Sequence, residues 1–289
     1  MKKINSIFIY SIVLISLFSL LGCSVNKANI DNELKSYFDE KNVEGCFTLL
    51  DNATGKITVF NIGMDTIRYA PGASFDIFNA LVALETGVVA DEKAPILFDL
   101  PLVQDSSIQH MNLIEAFQKN SASATQFIAQ KIGKTTMQLW IDSIGYGNKN
   151  IGDETTNFWQ NNTLQISADE QLGFMKRLYF DQLPFRKSVQ LSVRDMMSQI
   201  NNSVYAINYK TATVKDKSNH LIQWVTGWIE ENRHVYFFTT VLKSKKANIN
   251  ETVASISNLE NSTAQQSEKL GVDITNNILT HYGFFKGKK

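Results

Sequence analysis

The chain has 289 residues, and its 28 basic and 28 acidic side chains give a formal net charge of zero at pH 7. A chain of this length can bury a sizeable core, in one large domain or in two interwoven lobes. The balanced charge provides no basic field for nucleic acid, so no nucleic-acid partner is expected. The histidines lie far apart without the spacing of metal ligands, so no metal site and no cofactor are predicted.

The N-terminal segment has the features of an export signal. A basic start precedes an apolar run from Ile7 to Leu21, and the run ends in Gly22-Cys23. This ending resembles a bacterial lipobox, in which the cysteine is lipidated. We therefore predict a signal peptide at 1–22, then a lipidated Cys23 with a polar tether at 23–31. The protein is expected to be exported and anchored to a bacterial membrane by lipid, on its periplasmic or outer face. An uncleaved anchor and an ordinary signal peptide are the alternatives.

The remaining residues, 32–289, predict one α+β domain. A short helix at Glu33–Phe38 precedes two β-like runs, Gly45–Leu50 and Ile57–Asn61, which a turn-rich segment joins into a hairpin. Cys46 is the only cysteine after Cys23, so no intramolecular disulfide is predicted, and Cys46 is expected to be a buried strand residue.

The segment Pro71–Gly87 is apolar on nearly all sides, which predicts a helix buried in the middle of the domain. Gly87 is its predicted C-terminal stop. Asp76 and Asn79 are polar side chains inside this run. A buried carboxylate is costly unless it is paired or hydrogen-bonded. Asp76 is therefore expected either near the start of the helix, where the dipole favours negative charge, or in the wall of a cleft.

Helical spacing continues through the middle of the chain, and strands return near its end. The predicted helices are Asn112–Phe117, Ala124–Ile132, Thr136–Ile144, Ser167–Tyr179, Val189–Ile200 and a closing helix at Asp273–Tyr282. The predicted strands are Ala206–Thr213, His220–Glu230 and His234–Leu242. Gln265-Gln266 is predicted to lie in a loop. This order predicts an antiparallel sheet built from both ends of the chain, with a helical lobe inserted in the middle.

The buried segment resembles the active-site helix of class D (oxacillinase-type) serine β-lactamases and related penicillin-sensing domains. The positions that match without a gap are Phe75, Ile77, Asn79, Leu81, Leu84, Glu85, Thr86 and Gly87. The resemblance implies the serine β-lactamase/penicillin-binding transpeptidase-like fold. In its register the nucleophilic serine of the family falls on Ala73, and the lysine that serves as base falls on Asp76. Both groups that perform the chemistry are therefore replaced.

Other positions support the same resemblance. Tyr146-Gly147-Asn148 matches the family's Tyr-Gly-Asn motif, and Trp159 follows at the family's distance. Lys210-Thr211-Ala212 falls where the family has Lys-Thr-Gly on the strand beside the active site. That glycine lets the substrate approach the strand, so the methyl group of Ala212 is expected to crowd it.

Two further motifs depart from the family pattern. The serine of the family's Ser-x-Val motif falls on Asn120 without a gap and on Ser121 with a shift of one residue, and both registers stay open. The family also has an arginine that holds the drug's carboxylate, but the corresponding region reads Asn250-Glu251-Thr252-Val253. The residues that the resemblance places in the cleft are Asp76, Ser121, Tyr146, Asn148, Trp159, Lys210, Thr211 and Ala212.

The chemistry of the family requires a serine oxygen and a base that activates it. Ala73 offers no nucleophile, and Asp76 has no amine to carbamylate. Ser74 is a substitute candidate, but it lies about 100° further round a helix. We expect a pseudoenzyme with an Asp76–Lys210 pair, which binds a β-lactam or a peptidoglycan-type ligand non-covalently. The alternatives are altered β-lactam hydrolysis through a substitute nucleophile, and an envelope interaction protein with a vestigial cleft.

Overall fold

The computed structural model describes residues 28–98, 109–245 and 264–289. The predicted signal peptide, Cys23 and the segment around Asn250 lie outside these residues. None of the helices in the described part of the chain has the length and hydropathy of a membrane-spanning helix.

The described residues form strands and helices in the predicted general order. The strands are β1 (Asn29–Ile30), β2 (Val43–Asp51), β3 (Ile57–Phe60), β4 (Pro95–Phe98), β5 (Gln109–Asn112), β6 (Ser198–Asn201), β7 (Tyr205–Lys215), β8 (Leu221–Glu231) and β9 (His234–Ser244). The helices are α1 (Lys35–Asp39), α2 (Ile62–Asp65), α3 (Asp76–Thr86), α4 (Leu113–Gln118), α5 (Ala122–Ile132), α6 (Lys134–Ile144), α7 (Ala168–Tyr179), α8 (Lys187–Met196) and α9 (Ala264–His281).

The main sheet combines strands from both ends of the chain, which confirms the predicted architecture. Its seven strands have the order β1-β3-β2-β9-β8-β7-β6. Strand β2 pairs antiparallel with β3 and with β9, and β8 pairs antiparallel with β7 and with β9. Strand β4 forms a separate antiparallel pair with β5.

The central strands bury both faces because apolar residues occupy consecutive positions. Trp224 and Phe237 point into a core that includes the residues of α3. Their neighbours Val225 and Phe238 point to the other face, against Ile274 of α9. This alternation follows from the two-residue period of a strand. The sheet is thus covered on one face by α9 and on the other by the helical lobe.

Helix α3 runs through the middle of that lobe, as predicted. A 3-10 turn at Gly72–Phe75 leads into it, and Gly87 ends it with a φ of 74°. Every residue from Asp76 to Leu84 is buried. The Trp224 indole donates a hydrogen bond to the carbonyl of Ala70 at 3.0 Å, which ties the residues before the helix to β8.

Three predicted boundaries were wrong. The helix expected at Val189–Ile200 ends at Met196, because residues 198–201 pair with β7 as an edge strand. Gln265-Gln266 lies in α9 and not in a loop, since glutamine is a good helix former and the helix docks through its later apolar residues. Asn29 and Ile30 belong to the predicted tether, yet they pair with β3.

Candidate functional site

Two buried charged side chains meet where α3 begins beside β7. The Nζ atom of Lys210 lies 3.0 Å from Oδ2 of Asp76, and the two side chains are 4% and 5% exposed. The Thr125 hydroxyl donates to Oδ1 of Asp76 at 3.0 Å. Burial raises the pKa of the Asp76 carboxyl, and the Lys210 ammonium and the Thr125 hydroxyl oppose that shift. Oδ1 therefore has a hydrogen bond, and Oδ2 has the ion-pair contact with Lys210.

The Lys210 ammonium also binds the loop between α4 and α5. It donates to the backbone carbonyl of Phe117 and to Oδ1 of Asn120. Its Nζ lies 4.1 Å from the centre of the Phe117 ring. Lys210 therefore joins α3 and β7 to the end of α4 and the loop that follows it, through an ion pair with Asp76 and two hydrogen bonds.

The segment that corresponds to the family's nucleophile carries no available hydroxyl. Ala73 is half-buried and packs against the core. Ser74 is fully buried, and its hydroxyl donates to the carbonyl of Pro71 at 2.7 Å. Ala212 is also fully buried. A side chain at Gly72 would place its Cβ 3.4 Å from the Cβ of Ala212, so the extra methyl faces this segment.

Three other predicted cleft residues support the scaffold around α3. The Tyr146 hydroxyl donates to Oε1 of Gln171 at 3.1 Å, and burial raises the pKa of Tyr146. The Asn148 amide donates to the carbonyl of Thr163 at 2.8 Å. Trp159 stacks on Phe75 with ring centres 5.1 Å apart. The aromatic rings fill the core around α3, and Asn148 holds a nearby loop in place.

An open cavity of about 390 Å³ lies beside Lys210. Its walls include Phe117, Asn120, Tyr209, Lys210, Thr211 and Glu268. This volume lies within the range of small-molecule pockets. Of the residues predicted to lie in the cleft, Lys210 and Thr211 line the cavity. Asp76 is linked to the cavity through its ion pair with Lys210.

Asn120, and not Ser121, reaches this cavity. Ser121 is the N-cap of α5, where its hydroxyl accepts a hydrogen bond from the Ala124 N–H at 3.4 Å. The backbone of Asn120 has a φ of 52°, a conformation that asparagine tolerates better than most residues. The turn directs the Asn120 amide toward Lys210 and Glu268.

Sequence reasoning missed Glu268. Its carboxylate accepts hydrogen bonds from the Asn120 amide at 2.7 and 2.8 Å and from the Thr211 hydroxyl. Glu268 lies on α9, 148 residues from Asn120. No short motif links such distant positions, and the residues before it were expected to form a loop.

Comparison with known proteins places this chain in one class, the penicillin-binding protein fold family. Residues 45–261 match the family described as the penicillin binding protein transpeptidase domain. The chain is 32% identical over 204 residues to the β-lactamase OXA-5 of Pseudomonas aeruginosa, covering 70% of this chain and 76% of that protein.

Solved structures agree with the sequence comparison. The crystal structure of FUS-1 (OXA-85), a class D β-lactamase from Fusobacterium nucleatum subsp. polymorphum, superposes with a TM-score of 0.77 at 26% identity. That match covers 89% of this chain and 100% of the other. The C-terminal domain of the Bacillus licheniformis BlaR penicillin-receptor has the same fold, with a TM-score of 0.77 at 22% identity over 91% of this chain and 100% of that domain. The chain therefore belongs to the family of class D β-lactamases and related penicillin-binding transpeptidase domains.

Proposed function

We propose that this protein is a pseudoenzyme that binds a ligand non-covalently in the cavity beside Lys210. The observation that carries the proposal is the buried Asp76–Lys210 pair. In the family's register Asp76 stands where a lysine serves as base. The pair links α3 to β7, whereas the family's lysine at the position of Asp76 accepts a proton.

This chain presents no nucleophile that a β-lactam could acylate. Ala73 presents a methyl group where the family has its serine. The Ser74 hydroxyl donates a hydrogen bond to the Pro71 carbonyl and has no exposed surface. An activated serine needs a base within hydrogen-bond reach and an open path to the substrate. Ser74 has no open path.

Asp76 is also a poor replacement for the missing base. Its Oδ1 accepts from Thr125 and its Oδ2 faces the Lys210 ammonium. Protonating this carboxylate would leave the Lys210 charge buried without its counter-ion, which is costly. A general base must accept a proton during the reaction. The ammonium of Lys210 opposes that step, against the rise that burial gives to the pKa of Asp76, and the 5% exposure of the side chain keeps it away from a substrate.

The ligand class follows from the family. OXA-5 is named a β-lactamase and the BlaR domain a penicillin-receptor. We infer that the cavity takes a β-lactam or a peptidoglycan fragment, and that Lys210 fixes the Asn120 and Thr211 wall that contacts it. The lipobox-like Cys23 supports a protein exported and anchored to the membrane by lipid, where such ligands occur.

Equilibrium binding and intact mass together test this proposal. The chain from Ser24 is titrated with benzylpenicillin in a calorimeter, and its mass is measured after prolonged incubation. Saturable binding with unchanged protein mass and no hydrolysed drug is the expected result. Thr211→Val should weaken binding, and Thr213→Val, on the same strand outside the cavity walls, is the matched control.

The other outcomes assign a different function. Hydrolysis that Asp76→Asn abolishes would replace the proposal with altered catalysis. The absence of both binding and turnover, for benzylpenicillin and for a muropeptide mixture, would favour an interaction protein with a vestigial cleft.

A further inference from the structure

One wall of the cavity is already occupied by a carboxylate of the chain itself. The half-buried Glu268 reaches from α9 to the opposite wall, where the Asn120 amide binds both of its oxygens and the Thr211 hydroxyl binds one. Three hydrogen bonds to one carboxylate form a built anion site, because charge-assisted hydrogen bonds are stronger than neutral ones.

The orientation of this site is set by Lys210. The Asn120 side chain uses its Oδ1 to accept from the Lys210 ammonium, which leaves its N–H groups to face Glu268. Lys210 is in turn held by Asp76. The groups in contact therefore follow one another in this order: the carboxylate of Asp76, the ammonium of Lys210, the amide of Asn120 and the carboxylate of Glu268. The donors at Asn120 cannot rotate away without the loss of a bond to a buried charge.

The charge of Glu268 is held by neutral donors. Within residues 28–98, 109–245 and 264–289, no lysine or arginine nitrogen lies within 4.0 Å of its oxygens. A second carboxylate that enters the cavity would meet this negative charge and would find the Asn120 and Thr211 donors occupied. Like charges this close repel, and less solvent screens them in a half-enclosed site.

We propose that Glu268 is a resident carboxylate that fills the anion site of Asn120 and Thr211. A ligand carboxylate must displace it, so the native cavity discriminates against anionic ligands. This inference rests on the proposed ligand-binding function for its biological meaning. The anion site itself is tested separately.

Rescue by a free carboxylate tests the site without reference to any β-lactam. Glu268→Ala should lower the melting temperature and leave an empty site that acetate can enter. At acetate about ten times its dissociation constant, the melting temperature of this variant should rise by about 3 °C relative to equal chloride. Native protein and Glu44→Ala, an exposed glutamate on β2, should show no such rise. An equal response to acetate in all three proteins would overturn the inference.

A spectroscopic measurement locates the bound acetate. The side-chain amide resonances of Asn120 should shift on Glu268→Ala and return toward their native positions as acetate is added. If these resonances do not change when acetate is added, although the melting temperature rises, the acetate binds elsewhere. That result would contradict an anion site at Asn120.

Binding of benzylpenicillin then separates this inference from the proposed function. Glu268→Gln keeps the side-chain volume and removes the charge, and it should bind benzylpenicillin about tenfold more tightly than the native protein. Glu44→Gln is the control. Acetate rescue without benzylpenicillin binding by any variant would support the resident carboxylate and count against the proposed ligand. Benzylpenicillin binding that Glu268→Gln leaves unchanged would overturn the inference and leave the proposed function standing.

Discussion

The ammonium of Lys210 lies 3.0 Å from the carboxylate of Asp76, and both side chains are at least 95% buried. In the register of the family resemblance, Asp76 stands at the position of the base lysine, and Lys210 at that of the Lys-Thr-Gly lysine. The pair joins helix α3 to strand β7, and a second contact of the lysine joins both to the loop before α5. These contacts hold together three parts of the domain.

Breaking this pair should destabilise the fold strongly. Asp76→Leu or Lys210→Met each leaves a buried charge or its acceptors without a partner, and each should lower the free energy of unfolding by about 3–5 kcal/mol. The double variant Asp76→Leu, Lys210→Met should lose much less than the sum of the two. Urea unfolding, followed by circular dichroism, measures the free energy of unfolding of the native protein, the two single variants and the double variant. Fully additive losses would show that the two charges do not act as a pair. The exposed pair Lys134–Asp153 is a control whose removal should change little.

Ser74 should contribute to stability and not to chemistry. Ser74→Ala removes the hydrogen bond to the Pro71 carbonyl and should cost about 1–2 kcal/mol. Ser36→Ala removes a similar hydrogen bond at an exposed position and should cost less than about 0.5 kcal/mol. Peptide mapping after incubation with benzylpenicillin should find Ser74 unmodified. A penicilloyl group on Ser74 would make it the nucleophile.

Gly147, in the Tyr146-Gly147-Asn148 motif, occupies a position that has no room for a side chain, and a variant can test this. Its φ is 52°, and a Cβ there would lie 2.1 Å from the carbonyl oxygen of Gln165. Gly147→Ala should therefore lower stability by about 3 kcal/mol or more. Gly173→Ala is the matched control within α7, because a Cβ there meets no atom within 4 Å. It should be neutral or stabilising by up to about 1 kcal/mol. Thermal unfolding of both variants measures the difference in stability. Equal melting temperatures would show that Gly147 is not required by the backbone.

Asp65 should make the stability of the protein depend on pH. Burial raises the pKa of its carboxyl to about 6, although the Thr48 hydroxyl opposes the shift. The folded state then binds more protons than the unfolded state between about pH 4 and pH 6, so stability falls as the pH rises through that window. The loss should total on the order of 2 kcal/mol.

Asp65→Asn removes this titration and keeps an oxygen for Thr48. The difference in unfolding free energy, variant minus native, should grow from pH 4 to pH 6 and stay level above pH 7. Asp153→Asn, an exposed substitution, should give a difference that does not vary with pH. A constant difference for Asp65→Asn would place the pKa of Asp65 near its ordinary value.

The sequence predicted the parts of the fold that local patterns control. The apolar residues of α3 and the stop at Gly87 are local signals, and the structure contains both. The edge strand at residues 198–201 was missed because only its pairing with β7 distinguishes it from a continuing helix.

The site was predictable only in part, for a related reason. Asp76, Lys210 and Thr211 were found through their resemblance to family motifs. Asn120 was one of two candidate positions for the serine of the Ser-x-Val motif. Glu268 belongs to no motif, and its contact with Asn120 depends on how α9 packs against the sheet. Long-range packing therefore decides which side chains complete the cavity.

Covalent labelling with a fluorescent penicillin, read by intact mass, is the most direct test of the central claim. The native chain from Ser24 is compared with the variant Ala73→Ser, Asp76→Lys, in buffer with bicarbonate because the family's lysine is carbamylated. We expect no adduct on the native chain and a single adduct on the restored one. A covalent adduct on the native chain would contradict the pseudoenzyme assignment, and the modified residue would identify its nucleophile.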